Sequence, residues 1–246
     1  MSSVERILAK HYRPEDHPYR QYERKVDSIL KQEHTILDAG CGRSAPVLSK
    51  YIGKADKLIG VDLEDYTNSS SDIEYIQADI SSIKVPSSSI DIVISRAVLE
   101  HVPDANSVFA EINRILKPGG SFIFLTPNLW DYVSIISYLI PNRFHPYIVN
   151  KTEGRTLEDV FPSYYKANTY RAVSTLCKRS GLSIREFEWV SQYPSSFMFS
   201  AILFRIAMAY EKLISRFNAL AFLRGWILVH VTKEEIIQKE SAATSD

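Results

Sequence analysis

Between residues 35 and 126 the chain alternates short apolar runs with helix-like stretches, and Gly, Pro, Asp or Ser marks each junction. That rhythm predicts βαβ units, which place helices on the faces of a parallel sheet, so the expected fold class is α/β. Strands are expected over 35–38 (TILD), 57–62 (KLIGVD), 74–77, 90–95 (IDIVIS) and 121–126 (SFIFLT). A helix is expected over 44–52, with Ser44 as its cap, Pro46 in its first turn and Gly53 at its end. Asp104 should cap a second helix reading ANSVFAEINRILK, because Val108, Ile112, Ile115 and Leu116 fall on one face. Pro118-Gly119-Gly120 then turns the chain into the apolar run at 121–126.

Outside this stretch the organisation is coarser. Residues 1–34 read as one or two N-terminal cap helices, 35–126 as a cofactor-binding half-domain, and 127–168 as an aromatic-rich insertion forming a substrate lid. The second half, 169–232, holds a helix over 169–180 closed by Gly181, a strand over 182–190, a long apolar helix near 196–217 and a last strand at 226–232. Residues 233–246 form a polar tail. In the late helix, Phe197, Phe199, Ile202, Leu203, Ile206, Tyr210, Leu213 and Phe217 recur at helical spacing. That stripe suits core packing, a homodimer surface or contact with a lipid-like substrate or membrane surface.

Composition excludes several classes. With 45% hydrophobic residues in 246, the chain can bury a sizeable core. Lys+Arg and Asp+Glu are both 29, so no global field recruits nucleic acid, and partners must be recognised locally. No apolar run reaches the roughly 18 residues of a membrane span. Two cysteines, Cys41 and Cys177, make no disulfide framework, and the N-terminus lacks an apolar signal core, so a cytoplasmic location is expected.

The chemistry concentrates at the carboxyl ends of the expected strands, where open α/β sheets bind ligands. The turn Asp38-Ala39-Gly40-Cys41-Gly42 follows the first strand, and its glycines allow a ligand close to the backbone amides. Asp62, 20 residues beyond Gly42, ends the second strand, where a carboxylate can accept from both ribose hydroxyls. Read as G-x-G-x-x-A, the loop also fits a dinucleotide-binding oxidoreductase. Asp38 argues otherwise, since a carboxylate there repels a pyrophosphate and welcomes an ammonium or sulfonium. Asp79, after the third strand, offers a carboxylate to an adenine amino group.

In combination ILDAGCG, IGVD, QADI, IDIVIS, VLEHVPD and ILKPGG, between residues 35 and 128, resemble the class I S-adenosylmethionine-dependent methyltransferases. The nearer likeness is to the small-molecule group that includes the ubiquinone-biosynthesis O-methyltransferases. The resemblance implies a Rossmann-like, seven-stranded, mostly parallel sheet with its last strand antiparallel, and S-adenosyl-L-methionine as cofactor. It implies that Asp38, Gly40 and Gly42, with Ala39 and Cys41 between them, flank the methionine part. By the same likeness Asp62 and Leu63 hold the ribose, Asp79 and Ile80 the adenine, and Ser95 and Arg96 the pocket floor. Ser44 stands where the family usually has a third glycine.

The expected activity is methyl transfer to a hydroxyl, less readily an amine or carboxyl, of a small or lipid-linked metabolite. Glu100-His101 follows the fourth strand, making His101 the first candidate base, with His145 in reserve. Some relatives bind a divalent ion through Glu-x-x-Glu-His; here the first acidic position is Ala97, so no metal is expected. The lid should supply the acceptor's walls through Trp130, Tyr132, Phe144, Tyr164 and Tyr165, and Arg155 could meet an acidic group. Two rivals stand beside this reading: an NAD(P)-dependent oxidoreductase, and a non-catalytic protein that binds the cofactor as a sensor or scaffold.

Overall fold

Five short runs become parallel strands, four of them largely apolar and covered on both faces of one sheet and the third, at the sheet's edge, partly exposed. These are β1 (Thr35–Ala39), β2 (Lys57–Asp62), β3 (Glu74–Gln77), β4 (Ile90–Arg96) and β5 (Leu116–Pro127). β6 (Leu182–Val190) and β7 (Trp226–Lys233) complete a seven-stranded sheet in the order β3-β2-β1-β4-β5-β7-β6. β7 runs antiparallel to both β5 and β6, so the expected mostly parallel sheet with an antiparallel last strand is present. The structure is a computed structural model that describes residues 2–67, 70–139 and 161–235.

Alternate residues feed two cores. Leu37, Val61, Val93, Phe122, Phe124 and Val229 face α3 (Ala105–Ile115) and α5 (Tyr170–Ser180), and Phe109 meets both Phe122 and Phe124 edge-on. Ile36, Leu58, Ile94, Leu125 and Leu228 face the opposite layer, where α2 (Pro18–Asp27) inserts Tyr22 and Val26. The caps follow the sequence: Asp104 accepts from the Asn106 and Ser107 amides, Thr169 accepts from the Ala172 amide, and Gly181 closes α5 at φ 71°.

Two elements depart from expectation. The helix expected over 44–52 is a turn followed by one short 3-10 segment, Leu48–Tyr51. Ala45 adopts a left-handed φ of 41°, and Val47, Leu48 and Tyr51 are drawn into the core, leaving too few residues past Pro46 to nucleate an α-helix. The late helix, α6 (Ala201–Arg216), turns an unexpected face inward. Phe204, Ala207, Glu211 and Ile214 are buried, whereas Ile202, Leu203, Ile206 and Leu213 of the apolar stripe are exposed. Among the described residues, then, these four do not serve core packing. Before α2 lies α1 (Ser3–His11), opened by a capping box between Ser2 and Glu5. After β5 comes α4 (Tyr132–Leu139). Among the described residues no helix is long and apolar enough to cross a membrane.

Candidate functional site

The β1 turn is shaped by backbone demands. Gly40 takes φ 88°, and a Cβ there would overlap the Val98 side chain, so glycine alone fits. The amides of Gly40 and Cys41 donate to the Val61 carbonyl at 2.8 and 3.0 Å, folding the turn over β2. The Gly42 amide donates to Asp62 Oδ2 at 2.7 Å and the Glu64 amide to Oδ1 at 3.0 Å. Asp62 thereby joins the β1 turn to the end of β2, and each carboxylate oxygen retains a further lone pair.

Parallel register brings the three acidic residues to one edge. Asp38 pairs with Gly60, two residues before Asp62, and Asp62 pairs with Gln77, two residues before Asp79. Asp38 is 1% exposed, and its Oδ2 has no hydrogen-bond partner. Burial pushes its carboxyl up to about 7, against the pull of Arg96 and with a further push from Asp62. Asp79 is exposed and accepts the Ser81 amide through Oδ1, while Leu63 stands open beside it and Ile80 is buried. Ala39 is buried and its carbonyl accepts the Ser95 hydroxyl at 2.8 Å, tying β1 to β4. The Arg96 guanidinium lies over the Tyr19 ring of α2 at 4.2 Å, with Glu23 beside it at 3.6 Å. Cys41 is buried, and burial raises its thiol well above the ordinary range, which suits packing rather than nucleophilic attack.

At the ends of β4 and β5 a second group of polar residues is linked. Glu100 is buried, and its Oε2 accepts from the Thr126 hydroxyl at 3.0 Å. Thr126 in turn accepts from Asn168 Nδ2 at 2.8 Å, and the same nitrogen donates to the Pro127 carbonyl at 2.7 Å. Burial raises the Glu100 carboxyl, opposed chiefly by the neighbouring His101. The Glu100 carbonyl accepts the amides of both Tyr164 and Tyr165, pinning the end of the insertion to the 3-10 turn that follows β4.

His101 retains 33% of its side-chain exposure, with Nε2 4.0 Å from Glu100 Oε1 and Nδ1 3.0 Å from the Pro162 carbonyl. A carbonyl can only accept, so Nδ1 carries a proton, and in the neutral ring Nε2 keeps its lone pair. Thr126 and Asn168 were not expected as site residues. Their side chains meet across 42 positions, and no local pattern announces such a pairing.

Trp130 is exposed and Tyr132 half-buried at the start of the insertion; Phe144, His145 and Arg155 lie outside the described residues. Among the described residues no group of three His, Cys, Asp or Glu side chains could hold a metal ion. Ala97 occupies the first position of the acidic triplet with φ 57°.

Residues 37–124 match the methyltransferase-domain family. A probable S-adenosylmethionine-dependent methyltransferase of Mycolicibacterium smegmatis is 32% identical over 100 residues, covering 38% of this chain and 38% of the relative. Sterol 24-C-methyltransferase of Pneumocystis carinii is 27% identical over 104 residues, covering 38% of this chain and 28% of the relative. The match thus spans well under half of either curated relative. The crystal structure of an S-adenosylmethionine-dependent methyltransferase from Mesorhizobium loti superposes with a TM-score of 0.60 at 18% identity, covering 87% of this chain and 97% of that one. The chain therefore has the Rossmann-like fold of the class I methyltransferases, with the domain's sequence signature over residues 37–124.

Proposed function

We propose that the protein binds S-adenosyl-L-methionine at the carboxyl edge of β1, β2 and β3 and transfers its methyl group to a hydroxyl of a small or lipid-linked metabolite. The observation that carries this reading is Asp38: a buried carboxyl with an unpartnered oxygen, beside a glycine turn in which Gly40 packs against Val98 and Gly42 has open space around it. Such a group fits a cationic ligand and is a poor neighbour for a pyrophosphate. The missing helix after the turn supports the same choice. Dinucleotide sites place the pyrophosphate on a helix N-terminus, and here the turn leads only into a 3-10 segment.

In this assignment Asp38 faces the cofactor's positive end, Asp62 with Leu63 beside it accepts from the ribose hydroxyls, Ile80 flanks the adenine, and Asp79 accepts from its amino group. When bound, the cofactor supplies a methyl on a sulfonium, an electrophile that needs no further activation. The protein must align the acceptor and exclude water. His101 is the candidate base: its Nδ1–H is held by the Pro162 carbonyl, so in the neutral ring Nε2 carries the lone pair for the hydroxyl's proton. Glu100, 4.0 Å from Nε2, steadies the imidazolium that results. His101 would hold the hydroxyl's proton at Nε2 once the acceptor oxygen carries the methyl group. Exposed apolar side chains on α4 and α6, among them Ile136, Leu139 and Ile202, support a lipid-linked acceptor.

Calorimetric titration with S-adenosylhomocysteine tests the cofactor assignment, since a protein of this class should bind it at micromolar or better affinity. Absence of heat with the cofactor product, together with binding of NAD, would overturn it. For the base, His101→Ala should lower turnover at nearly constant cofactor affinity. Full activity of that variant across the pH range would remove His101 from the role.

A further inference from the structure

A second buried acidic group lies outside the assigned cofactor site. Asp131 follows β5 by four residues, and Glu211 lies on the inward face of α6; they are 1% and 2% exposed. Both carboxylate oxygens of Glu211, and Oδ1 of Asp131, lack hydrogen-bond partners. The hydroxyls of Tyr12, at the end of α1, and Tyr132, at the start of α4, are likewise buried and unpartnered. These residues lie within electrostatic reach of one another: burial and then Asp131 raise the Glu211 carboxyl, and burial and then Glu211 raise the phenols of Tyr12 and Tyr132. Their rings form the walls. Tyr132 stands perpendicular to Tyr210 at 5.3 Å and stacks with Phe197 at 6.0 Å, and Tyr12 meets Tyr193 edge-on at 6.0 Å.

Five polar atoms removed from water without a bond would cost the fold heavily if nothing ever bonded to them. What satisfies them must bring hydrogen-bond donors for three carboxylate oxygens. A cation does this with both carboxyls ionised, whereas a neutral donor such as a sugar hydroxyl leaves Glu211 holding its proton. Tyrosine faces at this spacing add attraction for a cation. We propose that Asp131 and Glu211, walled by Tyr12, Tyr132 and Tyr210, recognise a protonated amine on the acceptor molecule. The assignment of this ligand as the acceptor rests on the methyl-transfer reading, because Asp131 stands just past the sheet edge where the methyl would be delivered. A protonated nitrogen has no lone pair for attack, so the amine anchors the acceptor and a separate hydroxyl is methylated. Buried carboxyls in this state hold protons when the pocket is empty, Asp131 to about 6 and Glu211 to about 8, and an entering ammonium displaces them.

The test is a calorimetric titration of the full chain with n-hexylamine and with 1-hexanol, run with and without S-adenosylhomocysteine. The amine should bind at least tenfold more tightly than the alcohol. Glu211→Gln and Asp131→Asn, which keep shape and remove charge, should each erase that preference, with thermal unfolding used to verify that both variants fold. Equal affinity for amine and alcohol, or an amine preference that survives in the folded double variant, would overturn the proposal. Binding of S-adenosylhomocysteine is read separately in the same series. Its failure strikes the cofactor assignment, whereas loss of the amine preference alone strikes only the pocket.

Discussion

A carboxyl held at 1% exposure with one oxygen unbonded must either keep a proton or meet a cation, and Asp38 is in that position. Burial lifts it to about 7, so at neutral pH the group is near half-protonated, and a cationic ligand must drive the proton off. Cofactor affinity should therefore rise with pH, by at most about tenfold per unit below pH 7, and level off above it. Asp38→Asn should weaken binding and flatten the profile; calorimetry between pH 5.5 and 8.5 checks both, and a flat profile in the natural protein would remove Asp38 from contact with the cation. Asp62 acts differently, since its carboxylate already receives the Gly42 and Glu64 amides. Asp62→Ala should lose the ribose contacts and the turn's anchor together, lowering S-adenosylhomocysteine affinity by about 100-fold or more, on the order of 3 kcal/mol. An unchanged affinity would sink the ribose assignment. The glycine turn and the three acidic strand ends are legible in the chain because each is a local signal at a strand terminus. The unpartnered oxygen of Asp38 is not, because it depends on Arg96 and on the cover that α2 provides.

At the scale of elements, β1, β2, β4 and β5 were readable since both faces of the sheet are covered there and their runs are largely apolar. The stretch at 44–52 misled because cap, proline and terminal glycine all fit a helix. Tertiary burial of Val47, Leu48 and Tyr51 outweighed those local preferences. On α6 the apolar stripe pointed one way and the fold turned the other, placing Glu211 inward with Phe204, Ala207 and Ile214. The clue in the sequence was a charged residue interrupting an apolar helix; its meaning required Asp131, 80 positions earlier, to be seen beside it. The link between β5 and α5 is similarly non-local. Asn168 donates to both Thr126 and Pro127 just before α5 begins, and it also gives its carbonyl to the Leu129 amide. Asn168→Ala should cost about 1–3 kcal/mol, because buried acceptors lose their donor. In a chain of this size that lowers the melting temperature by several degrees. Since Thr126 would then be free to turn away from Glu100, turnover should fall more than cofactor affinity. A melting temperature matching the natural protein would show that this buried chain of bonds is not holding the β5 end.

Over the whole molecule the charge balance of zero hides a local excess of buried acid. Asp38, Asp131 and Glu211 all carry folded-state pKa values raised above those of an unfolded chain, to about 7, 6 and 8. A carboxyl raised in this way favours the folded state at pH below its unfolded value near 4, and that contribution is lost as pH climbs through the folded value. The half-buried His17 and the buried His230 act in the opposite sense, because burial lowers both and the folded state loses ground as pH falls below about 6.5. Above pH 6.5 His17 and His230 become increasingly neutral in both states, so over most of the span from pH 6.5 to 8.5 the carboxyls decide the slope. Stability of the ligand-free protein should fall across that window, by up to about 1.4 kcal/mol per pH unit for each group still protonated only when folded. Glu211 dominates its upper half. It faces Asp131, Tyr12 and Tyr132 within the pocket, while Lys212 and His11 approach each other at 3.5 Å on the neighbouring exposed surface. Glu211→Gln should raise the melting temperature at pH 8.5 and flatten the decline above pH 7, and a saturating cationic ligand should do the same in the natural chain. Calorimetric melting at half-unit pH steps measures it. A natural protein whose stability rises from pH 6.5 to 8.5 would mean that the acidic pocket is neither dry nor short of partners, and the argument for a cation-seeking site would fall with it.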